Sequence, residues 1–212
     1  SYVAPPPNYS PAAHEPRGRW VGIAAHELAL SGELDDVDFL AIMDGLDPNR
    51  PDRQLGRAYG DESVRGFDVT CSAPKSVSVL FALGDDEVRQ RVLGAHDRAV
   101  EALVGWIERH AHTRYRIGGE VAVVDADGIV AALFRQNTSR ALDPQIHTHV
   151  VIPNRVKSPD GRWLALDARL IKRDQRTLSA LYHAALRAEL PRRLGVRWRT
   201  PENGIAEMAD VP

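Results

Sequence analysis

Short apolar segments separated by turn residues dominate the second half of the sequence and limit the folds open to it. Val121–Val124 and Ile129–Phe134 flank the turn-forming residues 125–128, and Ile146–Val156 meets Trp163–Leu166 across a Ser-Pro-Asp-Gly turn. Adjacent strands joined by such turns pair as antiparallel hairpins. The pattern therefore predicts an antiparallel sheet built from successive hairpins.

Two long segments have helical periodicity instead. Asp85 and Asp86 open a segment in which apolar residues recur every three or four positions as far as about His110. The same spacing recurs over about Asp174–Leu194, and Gly195 follows as a residue suited to ending a helix. Both segments are predicted to form amphipathic helices.

The region before these helices is more varied. A short helix is predicted for about Asp35–Asp44, a polar loop for about Asn49–Arg65 and a strand for Gly66–Ser72, whereas Ser76–Leu83 fits either a strand or a helix. Helices that cover an antiparallel sheet define an α+β fold. We therefore expect a two-layer α+β sandwich with a central antiparallel sheet and the helices packed on it.

Size, charge and cysteine content exclude several classes of protein. No apolar run reaches the ~20 residues of a membrane span, and the N-terminus lacks the pattern of a secretory signal, so a single cytoplasmic domain over 1–212 is expected. Cys71 is the only cysteine, which excludes disulfide scaffolds and thiolate zinc sites and predicts a core position. The net charge of −2 does not favour general nucleic-acid binding, but residues 65–212 hold twenty-two basic and eighteen acidic residues, which allows a local basic groove.

The residues with the clearest chemistry are His147 and His149, at the start of an apolar strand. Side chains alternate faces along a strand, so both imidazoles project from one face, ~7 Å apart along the chain. Two neutral imidazoles in this arrangement can share one metal ion. Two surface histidines on a polar sheet face would have the same spacing, so the pair alone leaves both interpretations open.

Two longer blocks of sequence carry a family resemblance. They are Phe67–Ser78 and the stretch that runs from Phe134 through Thr138-Ser139-Arg140 and Asp143-Pro144-Gln145 to His149. These blocks resemble the TrwC/TraI-type (MobF) conjugative relaxases, which belong to the His-hydrophobic-His nucleases. Weaker similarity extends over nearly the whole chain, at Gly18–Trp20, Leu30–Glu33, Ala95–Val100 and Leu194–Val196.

The resemblance implies a palm-like antiparallel sheet and an enzyme that nicks DNA. In this family a three-histidine metal site holds the scissile phosphate while a tyrosine hydroxyl attacks it, which gives a 5′-phosphotyrosine link and a free 3′-hydroxyl; the reverse reaction rejoins the strand. This is covalent catalysis combined with a Lewis acid. We expect Mg²⁺ or Mn²⁺ as the cofactor and single-stranded DNA at an origin of transfer as the partner. Accessory transfer proteins are further expected partners of a monomeric domain that does not bind membranes.

The resemblance assigns His147 and His149 as metal ligands, but the first family ligand is replaced. Gln136 stands eleven residues before His147, where the family has histidine. An amide oxygen can coordinate a hard divalent ion, so we expect a weaker site with one oxygen and two nitrogen donors. The alternative is a degraded site, which would leave a single-stranded DNA-binding module of the same fold.

Three residues of the matched blocks receive supporting roles. Asp68 matches the family carboxylate beside the first ligand, and we expect it to accept either a hydrogen bond from the Gln136 amide or the proton of the tyrosine. Lys75 and Arg140 are expected to contact DNA phosphates. Trp163 could stack on a base, but its indole is expected to pack in the core.

The resemblance places the nucleophile in the proline-rich segment 1–19, which is predicted to be a mobile arm. Tyr2 lies eighteen residues before Trp20 and matches the first catalytic tyrosine, and Tyr9 falls near the second. Rolling-circle replication initiators share the histidine pair and the tyrosine chemistry, and Ser72–Ser76 favours the transfer relaxase over them. Related relaxases often continue into a helicase, so the chain is expected to be a fragment of a longer protein.

Overall fold

The computed structural model describes residues 16–167, 169–209 and 211, except for the side chains of Ile117 and Leu170. Residues 1–15 of the predicted arm, which include Tyr2 and Tyr9, therefore lie outside the described residues. Arg19, the last residue of the predicted arm, begins a strand. The elements in chain order are β1 (Arg19–Val21), α1 (Ile23–Glu27), α2 (Asp36–Met43), β2 (Leu46–Asp47), β3 (Arg50–Gln54), β4 (Gly66–Ser72), α3 (Lys75–Leu83), α4 (Asp86–His110), β5 (His112–Ile117), β6 (Glu120–Asp125), β7 (Ala131–Thr138), β8 (Pro144–Pro153), β9 (Val156–Lys157), β10 (Trp163–Leu164), α5 (Arg169–Arg173) and α6 (Gln175–Leu194).

Contacts between residues group the chain into two units. The first contains the described residues of 16–69, 106–134 and 149–172, and the second contains those of 70–105, 135–148 and 173–212. The main sheet has the strand order β1–β7–β8–β4, with β1 antiparallel to β7. The predicted α+β class with a central antiparallel sheet is confirmed. Within the described residues, no helix combines the length and apolarity needed to cross a membrane.

The predicted helices are present, and their ends have identifiable causes. The Asp35 carboxylate accepts the backbone N–H groups of Val37 and Asp38, which caps the start of α2. Gly195 ends α6 in the left-handed conformation, with φ of 66°, because glycine adopts positive φ without steric cost. The segment 76–83, which fitted both a strand and a helix, lies in helix α3.

Residues near the C-terminus hold the start of α3. The Glu207 carboxylate accepts hydrogen bonds from the backbone N–H groups of Ser76, at 2.8 Å, and Lys75, at 3.3 Å, and also from the Ser76 hydroxyl. The Ser76 oxygen accepts the backbone N–H of Met208 at 2.8 Å. A carboxylate in this position satisfies amide groups that have no partner inside the helix. These distant contacts favour the helix at a segment where the local pattern does not decide.

The first predicted hairpin is wrong in its pairing. The segment Val121–Val124 lies in β6, which pairs antiparallel with β5, a strand that was not predicted. Gly118 and Gly119 make the turn with φ of 58° and 93°, and two residues with positive φ are what a type I′ turn requires. The predicted partner, Ile129–Phe134, contributes to β7 of the main sheet. The glycine pair therefore forms the hairpin in place of residues 125–128.

The second predicted hairpin and the predicted loop also differ in extent. The strand predicted for Ile146–Val156 is interrupted after Pro153, and Val156 begins β9, which pairs with β10 in a separate two-stranded sheet. The predicted loop Asn49–Arg65 contains a strand, β3, which pairs with β2. Every residue of β3 is exposed, so this strand has no buried face and no apolar alternation that could reveal it.

Leu186 tests the contribution of α6 to stability. Its side chain is 0% exposed, whereas that of Leu40 on α2 is 53% exposed. Leu186→Ala should lower the free energy of unfolding by about 3 kcal/mol, because it removes buried contacts and leaves a cavity. Leu40→Ala should cost less than about 1 kcal/mol. Urea denaturation measures both, and equal losses would contradict the described packing.

Candidate active site

Strand β8 presents the two predicted histidines on its more accessible face. Ile146, Thr148 and Val150 are buried, whereas His147 and His149 between them are only partly buried. This alternation follows from strand geometry, since successive side chains point to opposite faces. The prediction that both imidazoles project from one face is consistent with this burial pattern.

In the second unit, His147 faces Gln136. The ring atom Nε2 of His147 lies 2.8 Å from Oε1 of Gln136, and Nδ1 lies 3.0 Å from the backbone oxygen of Gln145. Both partners are carbonyl oxygens, which only accept, so a neutral ring with one N–H donates to only one of them. With the proton on Nδ1, the Nε2 lone pair faces the lone pairs of the Gln136 oxygen. A proton on Nε2, an amide turned by 180° or a cation bound by both atoms satisfies this contact.

In the first unit, Asp68 holds His149. The ring atom Nδ1 of His149 lies 2.8 Å from Oδ2 of Asp68, and the two side chains are 18% and 22% exposed. A carboxylate at this position fixes the tautomer with the proton on Nδ1 and the lone pair on Nε2, as in many metal-binding histidines. The predicted hydrogen bond between Asp68 and the Gln136 amide is therefore wrong, since Asp68 accepts from His149 and Gln136 contacts His147.

The second oxygen of Asp68 has different surroundings from the first. Oδ1 is buried and, among the described residues, has no hydrogen-bond partner. A buried carboxylate oxygen without a partner carries a desolvation cost that a proton donor would relieve. This oxygen can therefore accept a proton from a group that the described residues do not supply.

The chemistry of the donor set fits a divalent cation. Among the described residues, no group of three or more His, Cys, Asp or Glu side chains is arranged to hold a metal ion. A site of Gln136, His147 and His149 is outside that definition, because one of its donors is an amide oxygen. Imidazole nitrogen and amide oxygen are both suitable donors for Mn²⁺, and oxygen donors suit Mg²⁺.

A buried hydrogen-bond network lies on the opposite side of β8, and the sequence did not predict it. His96 on α4 is 0% exposed; its Nδ1 lies 2.8 Å from the Tyr182 hydroxyl and its Nε2 lies 2.7 Å from Thr148 Oγ1. Burial, with smaller contributions from Arg135 and His147, lowers the pKa of His96 to about 3. The ring is therefore neutral at neutral pH. The only sequence signal was the resemblance of residues 95–100 to the relaxases, because helical periodicity marks this segment simply as core.

Four of the remaining residues singled out in the sequence lie among the described residues. Lys75 lies at the start of α3, where its ammonium group donates to the Pro144 carbonyl at 3.1 Å, and Arg140 is exposed after β7. Cys71 and Trp163 are buried, as predicted. Tyr2 and Tyr9 lie outside the described residues, so their catalytic role stays a prediction.

Comparison with known proteins identifies the family. The model of the family described as TrwC relaxase matches residues 2–212. The chain belongs to the TrwC relaxase family. Two relatives of this relaxase chain are the multifunctional conjugation proteins TraI of Escherichia coli and of its strain K12, which are 38% and 37% identical over 150 residues. That alignment covers 71% of this chain but 8% of either TraI protein.

Solved structures of the conjugative relaxase TrwC have the same fold. A metal-bound complex with oriT DNA has a TM-score of 0.85 and 37% identity, over 96% of this chain and 70% of TrwC. A copper-bound complex with oriT DNA has a TM-score of 0.82 and 38% identity, over 92% of this chain and 66% of TrwC. A metal-free complex has a TM-score of 0.81 and 39% identity, over 91% of this chain and 67% of TrwC.

Proposed function

We propose that this chain is the DNA-nicking domain of a conjugative relaxase, which cuts and rejoins one strand at an origin of transfer through a covalent 5′-phosphotyrosine link. The observation that carries the proposal is the contact of the Asp68 carboxylate with Nδ1 of His149, which sets the tautomer of one proposed metal ligand. The Gln136 oxygen also lies 2.8 Å from Nε2 of His147, which brings two of the proposed donor atoms together. TrwC relatives bound to oriT DNA, with metal and without it, support the substrate and the cofactor.

In this proposal Gln136, His147 and His149 bind one divalent cation, Mg²⁺ or Mn²⁺. Such an ion supplies Lewis-acid neutralisation of the charge on the scissile phosphate. The protein contributes fixed donors, because a ring whose tautomer is set before binding does not have to reorganise. Lys75 and Arg140 are the proposed phosphate contacts, and guanidinium and ammonium groups suit this role.

Tyr2 is the proposed nucleophile, with Tyr9 as the second tyrosine. A phenol has a pKa of about 10, so its oxygen attacks effectively only when a nearby base takes the proton. We assign this role to Asp68 Oδ1, the buried oxygen described above. The phenolic oxygen forms a bond to phosphorus, the bond to the 3′ oxygen breaks, and the proton taken by Asp68 passes to that departing oxygen.

A second function is favoured by one observation, the glutamine at position 136. A site that has lost a nitrogen ligand binds late transition metals less tightly, and a chain without a working site would bind single-stranded DNA but not cut it. The two functions differ in the nature of the protein–DNA link, because only nicking leaves a covalent adduct.

The test is a covalent selection. The chain is incubated with Mn²⁺ and single-stranded oligonucleotides that carry a hairpin followed by a randomised segment, and the complexes that survive denaturation in SDS are sequenced. We expect an adduct on one sequence class that disappears when EDTA is added before the DNA. Complexes that form with or without EDTA and that all dissociate in SDS would refute nicking and support the binding module.

Replacing Gln136 by histidine should tighten Mn²⁺ binding by ~10-fold, because an imidazole nitrogen replaces a weaker amide oxygen. Isothermal titration calorimetry without DNA measures the dissociation constant. Gln54→His, which adds an imidazole to the exposed strand β3, should leave it unchanged. An unchanged dissociation constant for Gln136→His would exclude position 136 from the metal site.

A further inference from the structure

The buried side chain of His96 on helix α4 contacts β8, the strand of the proposed donor His147. The His96 ring bridges the Tyr182 hydroxyl of α6 and the Thr148 hydroxyl of β8, at 2.8 and 2.7 Å. Thr148 directly follows His147, one of the proposed metal donors. Because neighbouring side chains point to opposite faces of a strand, the bond to Thr148 holds β8 from the face opposite to the donor.

The next residue of α4 makes the equivalent contact with β7. Both carboxylate oxygens of Asp97 accept hydrogen bonds from Nη1 of Arg135, at 3.0 and 2.8 Å. Both side chains are partly buried, with exposures of 22% for Arg135 and 34% for Asp97. Arg135 directly precedes Gln136, the other proposed donor of the second unit. Two consecutive residues of one helix therefore contact the neighbours of two metal donors.

We infer that His96 and Asp97 are positioning residues, which fix the separation of the Gln136 and His147 donor atoms by holding β7 and β8 against α4. The inference rests on the proposed function, since it concerns the same donors. Gln136 has a long side chain with several rotatable bonds, and its oxygen must stay within reach of the ion that His147 binds. A site needs its donors held to within ~0.5 Å, which requires support behind the donors themselves.

Neutrality suits His96 to this task. A neutral imidazole offers one donor and one acceptor, and its two nitrogens face one hydroxyl each. Both hydroxyls can rotate to complement either tautomer. The low pKa of His96 keeps its ring neutral at neutral pH. Small changes of pH around neutrality therefore leave its two hydrogen bonds unchanged.

The experiment compares two buried threonines in the full chain. Thr148→Val removes the hydroxyl that contacts His96, and Thr113→Val removes a hydroxyl that donates to the Ala165 carbonyl at 2.8 Å. The two residues are 2% and 0% exposed, so the substitutions should lower the melting temperature similarly. Thr148→Val should raise the Mn²⁺ dissociation constant ~10-fold, as the loss of outer support does in metal sites. Thr113→Val should leave it unchanged.

Two further variants separate positioning from a general loss of structure. Thr148→Ser keeps the hydroxyl and should restore Mn²⁺ affinity to within ~2-fold of wild type, even if its melting temperature stays low. Thr148→Val should have a smaller effect when combined with Gln136→Ala, because a donor that has been removed cannot be misplaced. Equal Mn²⁺ affinities of Thr148→Val and Thr113→Val would overturn the inference, as would a wild-type chain that does not bind Mn²⁺.

The adduct assay distinguishes this inference from the proposed function. Mn²⁺ affinity that depends on Thr148 in a chain that forms no adduct would support the positioning role and refute nicking. An active chain whose Mn²⁺ affinity does not respond to Thr148→Val would refute the positioning role and leave nicking supported.

Discussion

Replacing Tyr2 by phenylalanine should abolish the covalent DNA adduct, with a loss of initial rate on the order of 10³-fold or more. Phenylalanine keeps the aromatic ring but has no oxygen to attack phosphorus. The measurement is the amount of protein that remains attached to an oligonucleotide from the covalent selection after denaturation. Mn²⁺ affinity and noncovalent DNA affinity should stay unchanged, because neither depends on the phenolic oxygen in the proposed mechanism.

Tyr9→Phe is the matched control for this prediction. It makes the same chemical change seven positions later, and the covalent adduct should still form. If the adduct disappears with Tyr9→Phe and persists with Tyr2→Phe, Tyr9 is the nucleophile and the match of Tyr2 to the family tyrosine is wrong. If the adduct persists in both variants, neither Tyr2 nor Tyr9 is the sole nucleophile.

Asp68→Asn should slow adduct formation by ~10²–10⁴-fold, the range expected for the loss of a general base. The asparagine that replaces Asp68 has one carbonyl oxygen, which can still accept the His149 Nδ1–H, but its NH₂ group then occupies the position of Oδ1. An NH₂ group cannot take a proton from a phenol. Single-turnover kinetics at saturating Mn²⁺ measures the rate of this step independently of metal occupancy.

Asp47→Asn is a suitable control for that variant. The Asp47 carboxylate is also in the first unit and accepts hydrogen bonds from Arg50 and Arg53, away from the proposed donors in the sequence. Its substitution should change the rate of adduct formation by less than ~2-fold. A rate and a Mn²⁺ affinity that are undiminished in Asp68→Asn would reject a functional role for Asp68.

Local sequence predicted the elements whose periodicity is continuous. Asp85 and Asp86 were expected to open the long helix, and α4 begins at Asp86; β4 has the bounds Gly66–Ser72 that were predicted. Strands without an apolar face were missed, as β3 shows. The predicted pairing of β6 was wrong because two turns compete to pair this strand with a neighbour. The Gly118-Gly119 turn, which has positive φ at both positions, pairs it with β5.

The sequence supplies the proposed donors of the site but not the side chains that contact them. Alternation along a strand places His147 and His149 on one face, and the family resemblance adds Gln136 and Asp68. The partner of Asp68 is 81 positions away in the sequence, in a strand that becomes its neighbour only through the sheet order β8–β4. His96 lies 86 positions from Tyr182 and 52 positions from Thr148. Periodicity reports which face of an element is buried, but it does not report what that face meets.

The bonds from Glu207 to the start of α3 have a consequence for shortened variants of this chain. Inside α3, the Ser78 hydroxyl accepts the backbone N–H of Ile146 at 3.0 Å, directly before His147. A deletion that includes Glu207 would leave amide groups without partners at the start of a helix that contacts the strand of the proposed metal donors. The deletion would therefore affect residues that are distant from it in the sequence. A shortened variant should retain the residues through Met208.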